Sequence, residues 1–247
     1  LMESLAARYD MTFLGLHTFD RWGQSSTTGI FEKDGRKFVF VPGDTVTLGW
    51  EQFAVGLNQE SREELEYLFR EWEMEPQNPE EMIRESMAPV RQAAIGPMLV
   101  GRELEELCWE SVKMDDPRLT AHPDWLKEFR DFAWSDSSSL TLHQSARIER
   151  TEDGFQTWIY NRTDYDELLT GLEKQGLSLP TADEWAYLCG GGCQTLFPWG
   201  DGLDYSMRLR WFEDMDEDEN RSYDMEEPNF FGLSIAYDPY MREVVQA

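Results

Sequence analysis

The chain has 247 residues, enough for one large domain or two small ones, and its 40% hydrophobic and 13% aromatic content excludes a disordered chain. With 22 basic and 49 acidic residues the formal net charge is −27, which repels nucleic-acid phosphates and anionic lipids. We therefore expect no nucleic-acid partner and no membrane partner, whereas a basic protein, Ca²⁺ or Mg²⁺ would be attracted.

The cysteine count and the absence of long apolar runs bear on the compartment. Three cysteines do not make a disulfide framework, and no apolar run reaches the length of a membrane-spanning helix. We expect a cytoplasmic protein.

The first 50 residues alternate apolar stretches with turn signals, a pattern typical of strands. It predicts strands at 11–16, 29–31, 37–41 and 45–49, with a hairpin turn at Asp34-Gly35. Between 57 and 90 the period becomes helical and indicates an insertion of two helices. Ser61 and Glu64 predict a capping box for the first helix, and Asn78 with Pro79 predicts the start of the second.

The middle of the chain mixes the two patterns. Residues 90–100 and 139–150 favour strands, and 114–138 read as loop with aromatic anchors at Trp125, Phe129, Phe132 and Trp134. Residues 103–109 favour a helix with Leu104, Leu107 and Cys108 turned inward. Another helix is predicted from Thr163 as its cap to Gly176.

Residues 177–200 read LSLPTADEWAYLCGGGCQTLFPWG and carry the strongest local signals. Thr181 and Glu184 predict a capping box with Pro180 just outside the helix, and the glycine run at 190–192 predicts its end. Trp185 and Leu188 should face the core. The following residues, Phe197-Pro198-Trp199-Gly200, form a compact aromatic turn.

This stretch resembles the motif of the formylglycine-generating enzyme family, also called the sulfatase-modifying factor family. The matching residues are Leu179, Pro180, Thr181, Glu184, Trp185, Tyr187, Gly191, Gly192, Pro198, Trp199 and Gly200. Segments at 38–49, 95–104 and 228–233 resemble further family segments in the same order, the last containing Asn229 and Gly232. The similarity spans about residues 38 to 235, with the insertion near 57–90 as a departure.

The resemblance implies one domain over 1–247 with the α+β, C-type-lectin-like fold: small twisted antiparallel sheets, a few helices and much irregular loop. It also implies that the cap at Thr181, the indole of Trp185 and the Pro198-Trp199-Gly200 corner pack together at the centre of the scaffold.

Family enzymes oxidise a substrate cysteine with a cysteine pair near their C-terminus that binds copper(I). That region is not present in residues 1–247, and the family signature expected after Gly232-Leu233, which contributes to a calcium site in relatives, is replaced by another sequence. The pattern favours a degenerate relative without catalytic residues.

Cys189 and Cys193 are a possible thiol pair. Two thiolates alone make a poor metal site, and the Cys-x-x-x-Cys spacing is not the usual redox spacing. The favoured interpretation is therefore that Cys189 is a small apolar residue at the helix end and Cys193 an incidental thiol in the loop. A regulatory thiol pair is the other.

The acidic tract at 213–220 places Asp214, Asp216 and Asp218 at the spacing of an EF-hand loop. The register fails, because position six is Glu219 in place of glycine and position twelve is Met225. These aspartates are weak calcium candidates on a solvated loop. His17, His122 and His143 lie far apart in sequence and are expected to be structural.

Two functions follow as hypotheses. The first is a non-catalytic interaction module, a pseudoenzyme whose acidic surface binds a basic protein or peptide, with no catalytic residues and no firm cofactor assignment, calcium being the possible ion. The alternative is a copper-dependent, cysteine-oxidising enzyme of the formylglycine-generating type whose catalytic C-terminal segment lies outside residues 1–247.

Overall fold

The computed structural model describes residues 1–74, 78–151, 153–209 and 223–246. Its contacts divide the chain into two compact units. The outer unit comprises Leu1–Leu104 and Leu179–Ala247, and the inserted unit comprises Glu105–Ser178. The sequence predicts one domain over 1–247 with a helical insertion at about 57–90, and the helices Gln59–Glu71 and Pro79–Ser86 lie within that segment.

The helices and strands of the described residues are, in chain order, α1 (Met2–Tyr9), β1 (Thr12–Arg21), β2 (Gln24–Lys33), β3 (Arg36–Val41), β4 (Asp44–Leu48), α2 (Gln59–Glu71), α3 (Pro79–Ser86), β5 (Arg91–Ile95), β6 (Met98–Gly101), β7 (Trp109–Val112), α4 (Pro117–Thr120), α5 (Pro123–Ala133), β8 (Ser139–Leu142), β9 (Ala146–Thr151), β10 (Gly154–Tyr160), α6 (Tyr165–Lys174) and α7 (Ala182–Gly190), with a 3-10 helix at Asp224–Glu226. The predicted α+β class with small antiparallel sheets is confirmed. None of the described helices has the length and apolar character needed to cross a membrane.

The outer unit is built on a four-stranded antiparallel sheet in the order β1-β2-β3-β6 and a two-stranded sheet of β4 and β5. The predicted hairpin is confirmed: β2 and β3 are joined at Asp34 and Gly35, with φ of 52° and 78°. Helix α7 and the segment at 230–233 complete the core. Its buried residues are Ile30, Val39, Val41, Leu48, Ala93, Ile95, Tyr187, Leu188, Phe230, Phe231 and Leu233.

The inserted unit has a four-stranded antiparallel sheet in the order β7-β10-β9-β8. Its core contains the buried residues Val112, Leu119, Phe129, Phe132, Ala146, Ile148 and Ile159. Helix α5 contributes Phe129 and Phe132 to this core, and its neighbour α4 contributes Leu119.

Two predictions for this unit were wrong. Residues 103–109 are not a helix, because Trp109 pairs with Tyr160 in β7, and Cys108, which is only half-buried, has a left-handed φ of 69°. Residues 114–138 are not mainly loop, because they contain α4 and α5. Phe129 and Phe132 are buried as helix residues, whereas Trp134, predicted as an anchor, is 92% exposed.

Two predicted caps were also misplaced, each because a neighbouring side chain does the capping. Helix α2 is capped by Asn58, whose Oδ1 accepts from the Ser61 backbone N–H at 2.9 Å. Helix α6 is capped by Asp164 in place of Thr163, in a capping box with Glu167. The predicted start of α3 at Asn78 and Pro79 is confirmed.

Candidate functional site

Within the motif at 177–200, the residues Ala182–Gly190 form α7, and the predicted capping box is present. Thr181 Oγ1 accepts from the Glu184 backbone N–H at 3.2 Å, and the Glu184 carboxylate accepts from the Thr181 N–H at 2.7 Å, which completes the capping box. Gly191 ends the helix with φ of 63° and donates its N–H to the Tyr187 carbonyl at 2.7 Å. The Pro180 carbonyl accepts from the Gln246 N–H at 2.8 Å, so the C-terminal segment lies beside the start of α7.

The two indoles of the motif have different neighbours. Trp185 is half-buried, and its Nε1 donates to Glu243 at 2.6 Å; the other oxygen of Glu243 accepts from the Ala236 N–H at 2.7 Å. Trp199 stacks on Phe197 with ring centroids 4.9 Å apart and an interplanar angle of 3°. Glu243 was not singled out from the sequence, because nothing local connects it to a tryptophan 58 positions away.

The aromatic corner, which we define as Phe197-Pro198-Trp199-Gly200, lies near the C-terminal end of α7. Phe197 and Gly200 exchange two backbone hydrogen bonds, of 2.8 and 3.1 Å, and Trp199 Nε1 donates to the Gly202 carbonyl at 3.0 Å. A Cβ at Gly190 would lie 4.0 Å from Pro198 Cγ. The corner therefore adjoins the last residue of α7, while Trp185 is held by the C-terminal segment.

The Asn229 side chain connects α7 to the segment at 230–233 by hydrogen bonds. The side chain is 3% exposed, and its Nδ2 donates to the Leu188 carbonyl at 2.8 Å. Its Oδ1 accepts from the N–H groups of Phe231 at 2.9 Å and Leu233 at 3.2 Å. One amide side chain thus satisfies three buried backbone groups, which is why an asparagine is required here.

Gly232 lies in the turn that Asn229 holds, with φ of 84°. A Cβ at this position would come within 2.5 Å of the Phe19 ring. Both the backbone conformation and the close approach of Phe19 require glycine.

Replacing Asn229 with Ala should lower the free energy of unfolding by about 3 kcal/mol, because it leaves the Leu188 carbonyl and two backbone N–H groups buried without partners. Asn78→Ala, which removes an exposed helix cap, should cost about 1 kcal/mol. Urea unfolding followed by circular dichroism measures both. Equal losses for the two variants would contradict the role assigned to Asn229.

Asp201 is a second buried polar residue and follows the aromatic corner directly. It is 2% exposed; Oδ2 accepts from the N–H groups of Val55 at 2.6 Å and Gly56 at 2.9 Å, and Oδ1 accepts from Leu196 at 3.0 Å. Burial acts to raise the pKa of this carboxyl, but the backbone hydrogen bonds outweigh burial and hold the pKa below its usual range. Asp201 therefore fixes the loop before α2 as an ionised acceptor.

Because the folded-state pKa of Asp201 is depressed, its stabilisation should be complete above the unfolded pKa of about 3.9 and disappear as pH falls through the lower folded value. Asp201→Asn should therefore cost about 2 kcal/mol at pH 7, and the gap to the wild type should narrow below pH 4. Urea unfolding at a series of pH values measures the gap. A gap that stays constant down to pH 2 would show that ionisation of Asp201 is not responsible.

Cys189 and Cys193 lie at the C-terminal end of α7 as free thiols, both half-buried. Burial, followed by the Glu243 carboxylate and the Cys193 thiol, raises the pKa of Cys189 well above its ordinary value. Burial also raises the pKa of the Cys193 thiol. Since the thiolate is the reactive and metal-binding form, this environment opposes nucleophilic and metal chemistry at both positions.

In the native protein at pH 8 we expect Cys189 to react with iodoacetamide at least about 100-fold more slowly than glutathione, and Cys193 to react more slowly than glutathione, because burial lowers both thiolate populations. In denaturant the rates should approach that of glutathione. Peptide mass spectrometry measures each site separately. Fast native alkylation, or a disulfide between the two residues after mild oxidation, would support a regulatory thiol pair instead.

The remaining candidates do not converge. Asp214, Asp216 and Asp218 lie outside the described residues, so calcium binding there stays a prediction. His17 lies on β1 near Phe19, His122 stacks on Trp125 at 3.8 Å, and His143 is exposed. Within the described ranges, no three or more His, Cys, Asp or Glu side chains are grouped so as to hold a metal ion.

A feature that sequence reasoning missed lies on α2. Glu60, Glu63, Glu64, Tyr67 and Glu71 recur at spacings of three and four and share one helical face. Tyr67 is 51% exposed, and Trp72 at the end of the helix is 67% exposed. We call these six residues together with Tyr205 the α2 surface. The spacing was readable in the sequence, but the exposure of its aromatic rings was not.

Tyr205 belongs to this surface because of its acidic neighbours. Burial, followed by the nearby carboxylates of Glu64 and Glu60, raises its pKa. Its ring is 39% exposed. The surface thus combines three partly exposed aromatic side chains with four carboxylates.

The start of α2 is held firmly against the segment after the aromatic corner. Asn58 Nδ2 donates to the Leu203 carbonyl at 2.6 Å, and the buried Ser61 Oγ accepts from the Leu203 N–H at 2.8 Å. Together with the Asp201 contacts, these bonds position the acidic face of α2.

Comparisons of the chain with protein-family models, with curated proteins and with solved structures find no match.

Proposed function

We propose that this protein is a non-catalytic interaction module on a formylglycine-generating-enzyme-like, C-type-lectin-like scaffold, and that its α2 surface binds a basic protein or peptide. The observation that carries the proposal is the combination on α2 of exposed Tyr67 and Trp72 with a row of carboxylates. Exposed acidic residues alone are ordinary for a chain of net charge −27.

The two components of the surface would contribute differently to binding. Tyr and Trp are the residues that most often dominate interface energetics, because they remove a large apolar area from water at a small cost in conformational entropy. The carboxylates would accept hydrogen bonds from Lys and Arg, and each exposed pair contributes only about 0.2–1 kcal/mol. Affinity should thus come from the aromatic rings, and selection for a basic partner from the carboxylates.

The scaffold assignment rests on the same motif that suggested it. The capping box at Thr181 and Glu184, the left-handed Gly191, the corner at Trp199 and the buried Asn229 form one connected region in the outer unit. This connected region supports the proposed scaffold and supplies no catalytic group. Among the described residues no observation favours the alternative copper-dependent oxidation of cysteine, and copper enters only under that alternative.

A random peptide library displayed on phage and selected against the full chain tests the binding proposal. We expect enrichment of peptides that combine Lys or Arg with aromatic residues. Their dissociation constants, measured by fluorescence anisotropy, should rise about tenfold for Tyr67→Ala and for Glu60→Lys/Glu64→Lys, and should also rise between 50 and 500 mM salt. A salt-independent affinity would remove the electrostatic part of the proposal.

Matched control variants distinguish an affinity change caused by the α2 surface from one caused by the overall charge. Glu128→Lys/Glu173→Lys changes the net charge equally at exposed positions of the inserted unit, and Tyr9→Ala removes a tyrosine that is 44% exposed on α1. Both should change the affinity less than twofold. If the controls weaken binding as much as the α2 variants, or if the selected peptides are not basic, the α2 surface is not the binding site.

A further inference from the structure

The inserted unit contains a groove that the proposed function does not involve. It has a volume of about 340 Å³ and lies between α5 and the sheet. Its lining is almost entirely apolar and includes Met114, Leu126, Phe129, Ala133 and Phe155, all within the unit Glu105–Ser178. Small-molecule sites in proteins are concave, mostly apolar and about 300–1,000 Å³ in volume, so this groove falls at the lower end of that range.

The geometry of α5 explains why space remains. Leu126, Arg130 and Ala133 are four and three residues apart and share the face of the helix that lines the groove, while Phe129 reaches further into the core. Ala133 is small and fills little of the groove. Met114 and Phe155 on the far side are each 42% exposed, so apolar surface remains open to solvent.

Among the described residues that line the groove, Arg130 is the only one with a charged side chain. Its Nε donates to the Leu126 carbonyl at 3.1 Å, and in the described part of the chain its two terminal nitrogens have neither a hydrogen bond nor an ion pair. By contrast, Arg118 and Arg147 of the same unit are each paired with two carboxylates. In a chain with 49 acidic residues, an arginine that lines an apolar groove without a carboxylate partner has its anion-binding groups available.

A second guanidinium adds to the positive charge beside the groove. Arg150 lies over the ring of Phe155 at 5.1 Å and over that of Phe132 at 5.7 Å, and it donates to the Ser135 carbonyl at 3.0 Å. Within the described residues it too forms no ion pair with a carboxylate. The groove therefore presents an apolar floor with two guanidinium groups nearby.

We propose that this groove binds a small amphiphilic anion, with its apolar body against Leu126, Phe129 and Phe155 and its carboxylate on Arg130. Burial of the body removes the exposed apolar area from water, and the planar guanidinium matches a carboxylate through two parallel hydrogen bonds. A cationic amphiphile would be repelled by the same two arginines, and a neutral one would lack the paired hydrogen bonds.

Isothermal titration calorimetry of the full chain with octanoate, 1-octanol and octylammonium tests this directly. We expect octanoate to bind at least tenfold more tightly than 1-octanol, and octylammonium to bind most weakly. Arg130→Met keeps the apolar length and removes the charge, so it should weaken octanoate about tenfold and change 1-octanol less than twofold. Arg162→Met, an equal charge change at an exposed site of the same unit, should alter neither.

Ala133→Trp, which should fill the groove, should abolish binding of both octanoate and 1-octanol while circular dichroism confirms the fold. The proposal is overturned if octanoate binds no better than 1-octanol, if Arg130→Met and Arg162→Met behave alike, or if none of the probes binds. Enrichment of apolar, acidic peptides on the groove without octanoate binding would assign it to a protein partner instead. Because α2 belongs to the outer unit, the outcomes for the two sites can be distinguished.

Discussion

Three hydrogen bonds of the buried Asn229 side chain fix the backbone at the core of the outer unit. Its amide joins the last turn of α7, through the Leu188 carbonyl, to the N–H groups of Phe231 and Leu233. Phe230, Phe231 and Leu233 of this segment belong to the hydrophobic core, so their positions follow from where Asn229 holds the backbone. Hydrophobic burial is non-directional and would permit several packings of three large side chains. A fully satisfied buried polar group selects one of them.

Asp201 likewise fixes a backbone segment by hydrogen bonds, in this case the loop before α2. Its carboxylate binds backbone N–H groups of the loop before α2, and Asn58 and Ser61 add bonds from the helix start to Leu203. The loop would otherwise have unsatisfied backbone donors. The orientation of α2, and with it the direction in which Tyr67 faces solvent, therefore depends on the Asp201 side chain and on the backbone of Leu203, which lie 146 and 142 positions from their partners Val55 and Ser61. A surface on a helix positioned in this way needs little reorganisation to bind a partner, which lowers the entropic cost of association.

The sequence predicted those features whose causes are local. The hairpin at Asp34-Gly35 and the cap at Thr181 depend on residues within three positions of each other, and both are confirmed. Capping was misassigned where two candidates lie close together, as with Thr163 and Asp164, since only the backbone conformation decides between them. The helix predicted at 103–109 was wrong because pairing of Trp109 with Tyr160 overrides local propensity. For α5, the spacing of Trp125, Phe129 and Phe132 was a helical signal that the aromatic content obscured. The α2 surface and the groove could not be predicted, because exposure and cavity volume are properties of the packed chain.

The two proposed sites require opposite charges on their ligands, although one chain of net charge −27 carries both. The Debye length at physiological salt is about 8 Å, so distant carboxylates are largely screened. The charged groups nearest each site therefore dominate its electrostatic contribution to binding. At the α2 surface these are Glu60 and Glu64, which lie close enough to Tyr205 to affect its pKa. At the groove they are the guanidinium groups of Arg130 and Arg150, which are solvent-exposed and lie beside the apolar lining. At low ionic strength, where screening is weaker, the net negative charge should speed the approach of a basic partner and slow that of an anion, while equilibrium affinity at each site is determined by its local groups.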